Sequence, residues 1–579
     1  MNNTSKNPNR AAKTGYNRFL LLVAGLGGLL YGIDVGIISG ALPYLQATFT
    51  LPGGSRLNSE QISLVVAAVL LGTIISTLFA GALADLFGRK TMMTASGILF
   101  VVSVPMIALA HSYWALVFGR ILQGISGGLI GVVAPLYLAE CLRAANRGKG
   151  TGVFQWLLTL GIVVATVIGY YFSIRVDEVA KLGNTGKLFA FENVAWRGIF
   201  WVSLPPGILF VIGSVFVAES PRWLFRRGRK DAARAALLRS RTEEQAEIEL
   251  KEMEEIVVAE KNNVSATGQK IRESLLRRKY VIPFLLACVI LACNQATGIN
   301  SVIGYNTTTL IQAGLGDKAA HFGTVIFTIV NFLTTIIAVV LVDRKGRKFL
   351  LSLGTGGVIV SMICVGLLFH KTEKLRVDVK DEVQAMVSSN QTAVIQFNED
   401  TASNLLLKEM NKGGDGSIQV AIRPWSLVVI YSYGDFHAAT SAVRSDTPAA
   451  NPIEISRDSC VPANKVIAFF KNPFANLDAA KTAPLKIDAA LITPIPDARN
   501  GWITAIFLYI YMAFFAVGPG VCVWLALSEL MPTRIRSNGM SIALVINQVV
   551  STIIAAVFLP TVGKYGYSTI FFAFAGCTV

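Results

Sequence analysis

Charge is scarce in this sequence: only 15% of its 579 residues are Asp, Glu, Lys or Arg, against about a quarter in an ordinary soluble domain. With 53% hydrophobic residues as well, the chain does not have water as its main solvent. Cysteine offers no staple. Of seven, Cys288, Cys293, Cys364, Cys522 and Cys577 fall within apolar runs, Cys141 sits at a run's end, and only Cys460 lies in a long polar stretch. A lone thiol there has no evident disulfide partner, so a stapled ectodomain is not indicated. No metal-spaced His/Cys/Asp/Glu cluster and no paired nucleophile and base stand out, so the expectation is no enzyme, no cofactor and no metal. A cleavable signal peptide is also not expected, because the first apolar run continues past signal length with no small-residue cleavage site behind it.

What the sequence has in abundance is long apolar runs. At 1.5 Å per residue, 18 or more such residues cross a hydrocarbon core of about 30 Å. About twelve runs qualify, near 17–42, 60–82, 91–111, 115–139, 150–173, 198–218, 280–304, 320–342, 349–370, 503–528, 537–560 and 566–579. The chain stops at Val579 inside the last, so either the sequence is a fragment or that helix is unusually short. A net charge of +16 might suggest nucleic acid, but the basic residues cluster after the second, fourth, sixth, eighth and tenth runs. That distribution is the positive-inside rule. It predicts a multi-pass cell-membrane protein in a lipid bilayer, with a cytoplasmic N-terminus and no nucleic-acid partner.

The runs form a repeat. The segment Gly81-Ala-Leu-Ala-Asp85-Leu-Phe-Gly88-Arg89-Lys90 returns as Leu341-Val-Asp343-Arg344-Lys345-Gly346-Arg347-Lys348, so that Asp343 follows Asp85 by 258 positions. Glu140 with Arg147 returns as Glu529 with Arg536, at an offset of 389. The difference of 131 residues requires an insertion between the eighth and tenth runs, and the polar stretch 371–501 has that length. The expected organisation is a six-helix half over 1–218, a cytoplasmic helical linker over 219–279, and a second half over 280–579 that carries the extracytoplasmic insertion. Within the insertion, 417–423 and 426–432 read as strands and 400–411 as a helix, giving a small α+β domain; the alternative is a disordered loop. The linker is rich in helix formers and reads as short amphipathic helices under the bundle, either clamping the halves or serving as a solvated connection.

Polar residues at mid-membrane are costly and tend to be functional. Gln155, Gln295, Asn300 and Asn547 bring amides to that depth. An amide both donates and accepts hydrogen bonds, as a sugar hydroxyl does. Amides with an aromatic face, which Trp524 can supply, suit a neutral polyol; the alternative is that these amides bond helices to one another. Asp34, in Gly27-Gly28-Leu-Leu-Tyr31-Gly32-Ile-Asp34, must be protonated or paired at its depth, and Arg120 in the fourth run is the expected partner. Nearer the cytoplasmic surface, Asp85 and Asp343 can each face a helix N-terminus across the repeat. Arg89, Arg147, Arg347 and Arg536 can meet Glu140, Glu219 and Glu529 in one layer, as a latch that closes that face in one state. Plain positive-inside anchoring would need no acidic partners.

Together with Gly119-Arg120, Pro135-Leu-Tyr137-Leu-Ala-Glu140, Glu219-Ser-Pro-Arg222-Trp-Leu224, Asn294-Gln295-Ala-Thr-Gly298-Ile-Asn300 and Gly518-Pro-Gly520 with Trp524, these motifs make the chain resemble the sugar porter family of the major facilitator superfamily. The pattern is most similar to the proton-coupled sugar symporters of that family. The resemblance spans nearly all of the chain except 371–501. It implies an all-α polytopic fold of about twelve transmembrane helices in two six-helix halves. It implies sugar contacts at Gln155, Asn294, Gln295, Asn300, Trp524 and Asn547, with Tyr31 and Gly520 lining the pocket, and proton coupling at Asp34 and Arg120. The implied partners are a monosaccharide, hexose or pentose, and protons; a passive uniporter and a non-transporting sugar sensor are the alternatives. Several positions depart from the family pattern. Asn294 stands where a longer Gln is usual, Gly304 precedes Tyr305 where an aromatic often caps the sugar, and Val521 and Val523 replace prolines. Occlusion is then expected to fall to Tyr305, and the unwinding of the tenth helix to be weakened.

Overall fold

The computed structural model describes residues 8–51, 56–142, 147–265, 278–413, 424–446, 452–530 and 536–579, excluding the side chains of 8–14, 147–149, 151, 256–265, 279, 343, 410–413, 466, 470, 524–529 and 536–541. Among the described residues, eleven helices are long and apolar enough to cross a membrane. Six belong to the first half: Gly15–Thr48, Ser59–Phe87, Arg89–Ala108, Tyr113–Cys141, Gly152–Ala180 and Thr185–Phe216. Tyr280–Gln312, Asp317–Val342, Arg347–Glu373, Ala498–Val523 and Ile542–Tyr565 form the second, followed by a shorter apolar helix, Tyr567–Thr578. This is the all-α major facilitator architecture.

Small residues let the spans approach closely. A Cβ on Gly32 of the first span would collide with the Leu158 carbonyl of the fifth, and one on Gly161 with the Leu29 carbonyl. In lipid, where apolar contact alone drives little association, such backbone proximity is a main source of helix adhesion.

Three spans are interrupted, each at a residue that cannot continue a helix. The sixth breaks after Trp201 and resumes at Leu204–Phe216, with Pro205 and Pro206 in its first turn, where their missing N–H groups cost nothing. The seventh consists of Arg278–Ala296 and Ile299–Gln312, joined through Gly298 at φ +83°, a conformation that glycine adopts freely. The tenth breaks at Gly518, and Pro519 opens the next segment, Pro519–Leu530. The break expected to be weakened is present: Gly518 and Pro519 interrupt the helix without prolines at positions 521 and 523.

Between the ninth and tenth spans the chain folds into a sheet. Strands β1 (Val377–Asp378), β3 (Trp425–Tyr433), β4 (Phe436–Ala439), β5 (Val443–Arg444) and β7 (Leu485–Pro494) form one antiparallel sheet in the order β1-β7-β3-β4, with β5 also on β3. Strands β2 (Ala393–Ile395) and β6 (Ile453–Ile455) pair separately. The strand expected at 426–432 lies within β3 and the helix expected at 400–411 within Glu399–Gly413, whereas 417–423 falls outside the described residues. Leu405, Leu427, Tyr431, Tyr433 and Ile487 belong to a hydrophobic core of this unit, separate from those of the bundle. The linker contains the helices Pro221–Arg226, Lys230–Leu238 and Glu243–Ser265. With an up-and-down order of spans, linker and insertion emerge on opposite faces of the bundle, called below the linker face and the insertion face.

Candidate substrate site and its charged surroundings

The breaks in the seventh and tenth spans open onto one cavity of about 470 Å³ between the halves. Tyr31 and Gln155 of the first half and Asn294, Gln295, Asn300, Gly520 and Asn547 of the second all line it, so seven of the eight expected contact positions come together. The eighth, Trp524, lies in Pro519–Leu530, with its side chain outside those described. The Gly298 break brings the amides of the seventh span into register: Asn300 Nδ2 donates to Gln295 Oε1 at 3.0 Å and to Ser551 Oγ at 2.7 Å. Asn294 Oδ1, Asn547 Oδ1 and Gln548 Oε1 are shut from solvent with no hydrogen-bond partner. A buried acceptor left unpaired costs about 1–3 kcal/mol.

Two lining amides, Asn331 and Gln548, escaped the reading of the sequence. The signal for Asn331 was a solitary amide amid the eighth span's apolar run, and for Gln548 its place next to Asn547.

Towards the insertion face the cavity is sealed. Ser39 Oγ lies 3.1 Å from Thr307 Oγ1, Thr166 Oγ1 2.8 Å from Thr328 Oγ1, and Tyr44 donates to Asp317 Oδ2 at 2.7 Å, each pair joining the two halves. His321 Nε2 adds a 3.1 Å approach to the Gly40 carbonyl. Tyr305 is not the cap expected of it. Its ring stacks on Phe558 at 4.5 Å and its hydroxyl donates to the Ala555 carbonyl at 3.1 Å, so it is consumed in packing within the second half and does not line the cavity.

Asp34 and Arg120 are both buried, with Arg120 Nη1 3.6 Å from Asp34 Oδ1. Neither carboxylate oxygen receives a hydrogen bond, while Arg120 Nη1 donates to Gln123 Oε1 at 2.8 Å. The pair is thus loose: a charge attraction without the hydrogen bonds that would lock it. Tyr31 relates it to the cavity. A Cβ on Gly127 would lie 3.1 Å from Asp34 Oδ2 and 3.2 Å from the Tyr31 ring, so carboxylate and cavity wall share one small contact surface.

On the linker face, buried Arg89 is held by Asp85 at 2.7 Å and by Glu140 at 2.9 Å. Among the described residues, the Asp85 carboxylate pairs with Arg89 and makes no contact with a helix N-terminus of the other half. Glu219 takes the capping role, its Oε1 accepting from the backbone N–H of Arg89 at 2.9 Å and of Lys90 at 3.0 Å, the first turn of the third span. The physical reason is reach: Asp85 sits in the last turn of the preceding helix, whose carbonyl end accepts from Trp223 Nε1 at 2.7 Å and Arg227 Nη2 at 2.9 Å. All these contacts are internal to the first half and its linker. Arg347 opens the ninth span, and the side chains of Arg147, Asp343, Glu529 and Arg536 fall outside those described.

Paired six-helix halves with a polar cavity at broken helices define a membrane transporter of the major facilitator superfamily. The chain is similar in fold to the xylose transporter of E. coli in a partially occluded inward-open conformation, with a TM-score of 0.61 at 18% identity over 97% of both chains. The family model described as sugar (and other) transporter matches residues 20–389 and 488–579, and the chain belongs to that family. Its place is among sugar transporters. It is 31% identical to a glucose transporter of Staphylococcus epidermidis over 61% of this chain and 72% of that one, and 29% identical to an arabinose-proton symporter of Bacillus subtilis over 62% and 73%. An inositol transporter of Arabidopsis thaliana is 26% identical over 97% of this chain and 88% of its own, a coverage that must include the insertion.

Proposed function

We propose that the chain carries a monosaccharide, hexose or pentose, across the cell membrane by alternating access, in symport with a proton. The observation that carries the substrate class is the cavity's set of neutral amides, Gln155, Asn294, Gln295, Asn300, Asn331, Asn547 and Gln548, with no charged residue among its described lining. An ion would find no counter-charge there; a neutral polyol finds donors and acceptors. The full-length similarity to a plant inositol transporter adds cyclic polyols to the compounds worth testing. Gln155, Asn294, Gln295, Asn300, Trp524 and Asn547 are the proposed sugar contacts, with Tyr31 and Gly520 completing the wall. The linker face is read as cytoplasmic, with the N-terminus on that side. Asp85, Arg89, Glu140, Arg147, Glu219, Asp343, Arg347, Glu529 and Arg536 remain the proposed gate on that face.

Coupling is assigned to Asp34 and Arg120. A carboxylate held only by one 3.6 Å ion pair can exchange that partner for a proton when the halves move, since a carboxyl group is neutralised either way. The test is Asp34→Asn in proteoliposomes offered radiolabelled monosaccharides and inositol. The variant should lose uphill accumulation under an inward proton gradient while retaining exchange between equal sugar pools. Accumulation at the wild-type level would remove Asp34 from coupling and favour passive uniport.

A further inference from the structure

Beyond the sealed gate, on the insertion face, lies a second void of about 680 Å³ that shares no lining residue with the central cavity. Its walls come from both halves, and its roof is the insertion segment Ser441–Arg444 with Asp446. Arg444 pins the roof: Nη1 donates to the carbonyls of Ile311 at 2.7 Å and Leu315 at 3.2 Å, while Nε and Nη2 hold Asp446 at 2.8 and 2.7 Å. A void of this size is within the range of small-molecule pockets, about 300–1,000 Å³.

One wall is aromatic. Tyr170 and Phe322 lie with ring centroids 5.4 Å apart, and Phe322 and Trp502 meet edge to face at 6.4 Å. Elsewhere in the lining stand Arg56 and Glu192. Arg56 Nε and Nη2 are shut from solvent without an acceptor, and no ion pair joins Arg56 to Glu192. Burial lowers the Arg56 guanidinium from its ordinary value, with Glu192 and Glu454 pulling the other way. The remaining charges carry both signs and are largely engaged: Asp317 accepts from Tyr44, Asp177 lies 3.9 Å from Lys318, and Asp446 holds Arg444. Neither an anion nor a cation is favoured by such a lining. A vicinal diol is, because one oxygen can accept from a guanidinium while its neighbour's hydroxyl donates to a carboxylate, and the apolar face of a ring can rest on the aromatic wall.

We propose that this roofed vestibule is a second binding site for a neutral, monosaccharide-sized polyol, built jointly by Arg56, Glu192, the Tyr170–Phe322–Trp502 wall and the insertion. It rests on the sugar reading of the central cavity and adds to it a site that can be filled while the gate is closed. The experiment is equilibrium binding of radiolabelled D-glucose and myo-inositol to the purified full chain. Two molecules of at least one probe should bind per chain. Glu192→Gln and Arg56→Met should each weaken one of the two by at least about tenfold, and Ala442→Trp, a roof substitution that fills the void while every residue of the bundle is kept, should reduce the count to one. A central-site variant, Asn547→Ala, should weaken the other molecule only. A count of one in the wild type, unchanged by Ala442→Trp and Glu192→Gln, would overturn the vestibule site while leaving the sugar reading intact. No binding of either probe, with or without these substitutions, would overturn both.

Discussion

The charged layer on the linker face yields a graded prediction, because its members differ sharply in burial. The Arg89 side chain is 3% exposed, Glu140 10% and Asp85 66%. Glu140→Gln keeps the shape but removes the buried counter-charge, leaving the guanidinium with a partner that is largely solvated. The cost should be about 2–3 kcal/mol, between that of a lost hydrogen bond to a charged group and that of a broken buried ion pair. Asp85→Asn removes an equally short contact, 2.7 Å against 2.9 Å, yet water already screens it, and the cost should stay below about 1 kcal/mol. For a half of this size about 1 kcal/mol corresponds to roughly 2–4 °C, so thermal unfolding in detergent should fall by about 4–12 °C for Glu140→Gln and by no more than about 4 °C for Asp85→Asn. Since the described contacts are internal to the first half, they brace the surface against which the proposed gate would close. Equal losses for the two variants would refute the burial argument. An unchanged melting temperature for Glu140→Gln with altered transport rates would refute the brace and favour a latch.

Two further outcomes are expected. Cys460 is buried, its Sγ 3.2 Å from the Phe436 carbonyl, and burial pushes its thiol up to about 11, against a smaller opposing effect of Lys471. At pH 8 it should stay protonated and escape maleimide until denaturant is added, as read by peptide mass spectrometry; labelling of the native protein at the rate of a free thiol would contradict the packing of the insertion. Asn300→Ala removes the hydrogen bond to Gln295 across the break in the seventh helix and the one to Ser551 of the eleventh span, and should weaken sugar binding by about 1–3 kcal/mol in calorimetry, whereas unchanged affinity would take Asn300 out of the site.

Legibility followed the strength of the physical constraint. A span must be apolar over about 20 residues, so the run of spans could be read from hydropathy, and the displaced repeat exposed the insertion. Amides at mid-membrane were legible for the same reason: lipid makes them expensive. Which way a side chain turns was not. Tyr305 stood next to a position where an aromatic often caps the sugar, yet its stacking on Phe558 is a tertiary choice made by a residue more than 250 positions away. The same holds for Glu219, whose capping of the third span depends on the linker folding back beneath Asp85. The break in the tenth span follows from the Gly518-Pro519 pair, which interrupts the helix whether or not prolines stand at 521 and 523.

The insertion belongs by connectivity to the second half, yet it is bonded to the first. Lys471 pairs with Glu60 at 2.7 Å, Ser59 Oγ donates to the Ala439 carbonyl at 3.0 Å, and Asn58 donates to the Ser459 carbonyl. Any rocking that parts the halves on this face must break all three. The ion pair is partly exposed and is worth at most about 1 kcal/mol, and each hydrogen bond about 0.5–1.5 kcal/mol, so together they bias the closed state by about 1–4 kcal/mol. Since about 1.4 kcal/mol is a factor of ten, that bias is between somewhat under one and about three decades of population. A two-state carrier can bear such a term only if the opposite state has a counterweight of similar size, and the linker face, where Arg89, Glu140 and Glu219 hold the first half rigid, is where partners from the second half would have to supply it. If the chain works by the proposed alternating access, an element added between the ninth and tenth spans does not merely decorate the bundle: it would shift the balance point of the cycle, and the charges on the far face would have to match it for both states to remain populated.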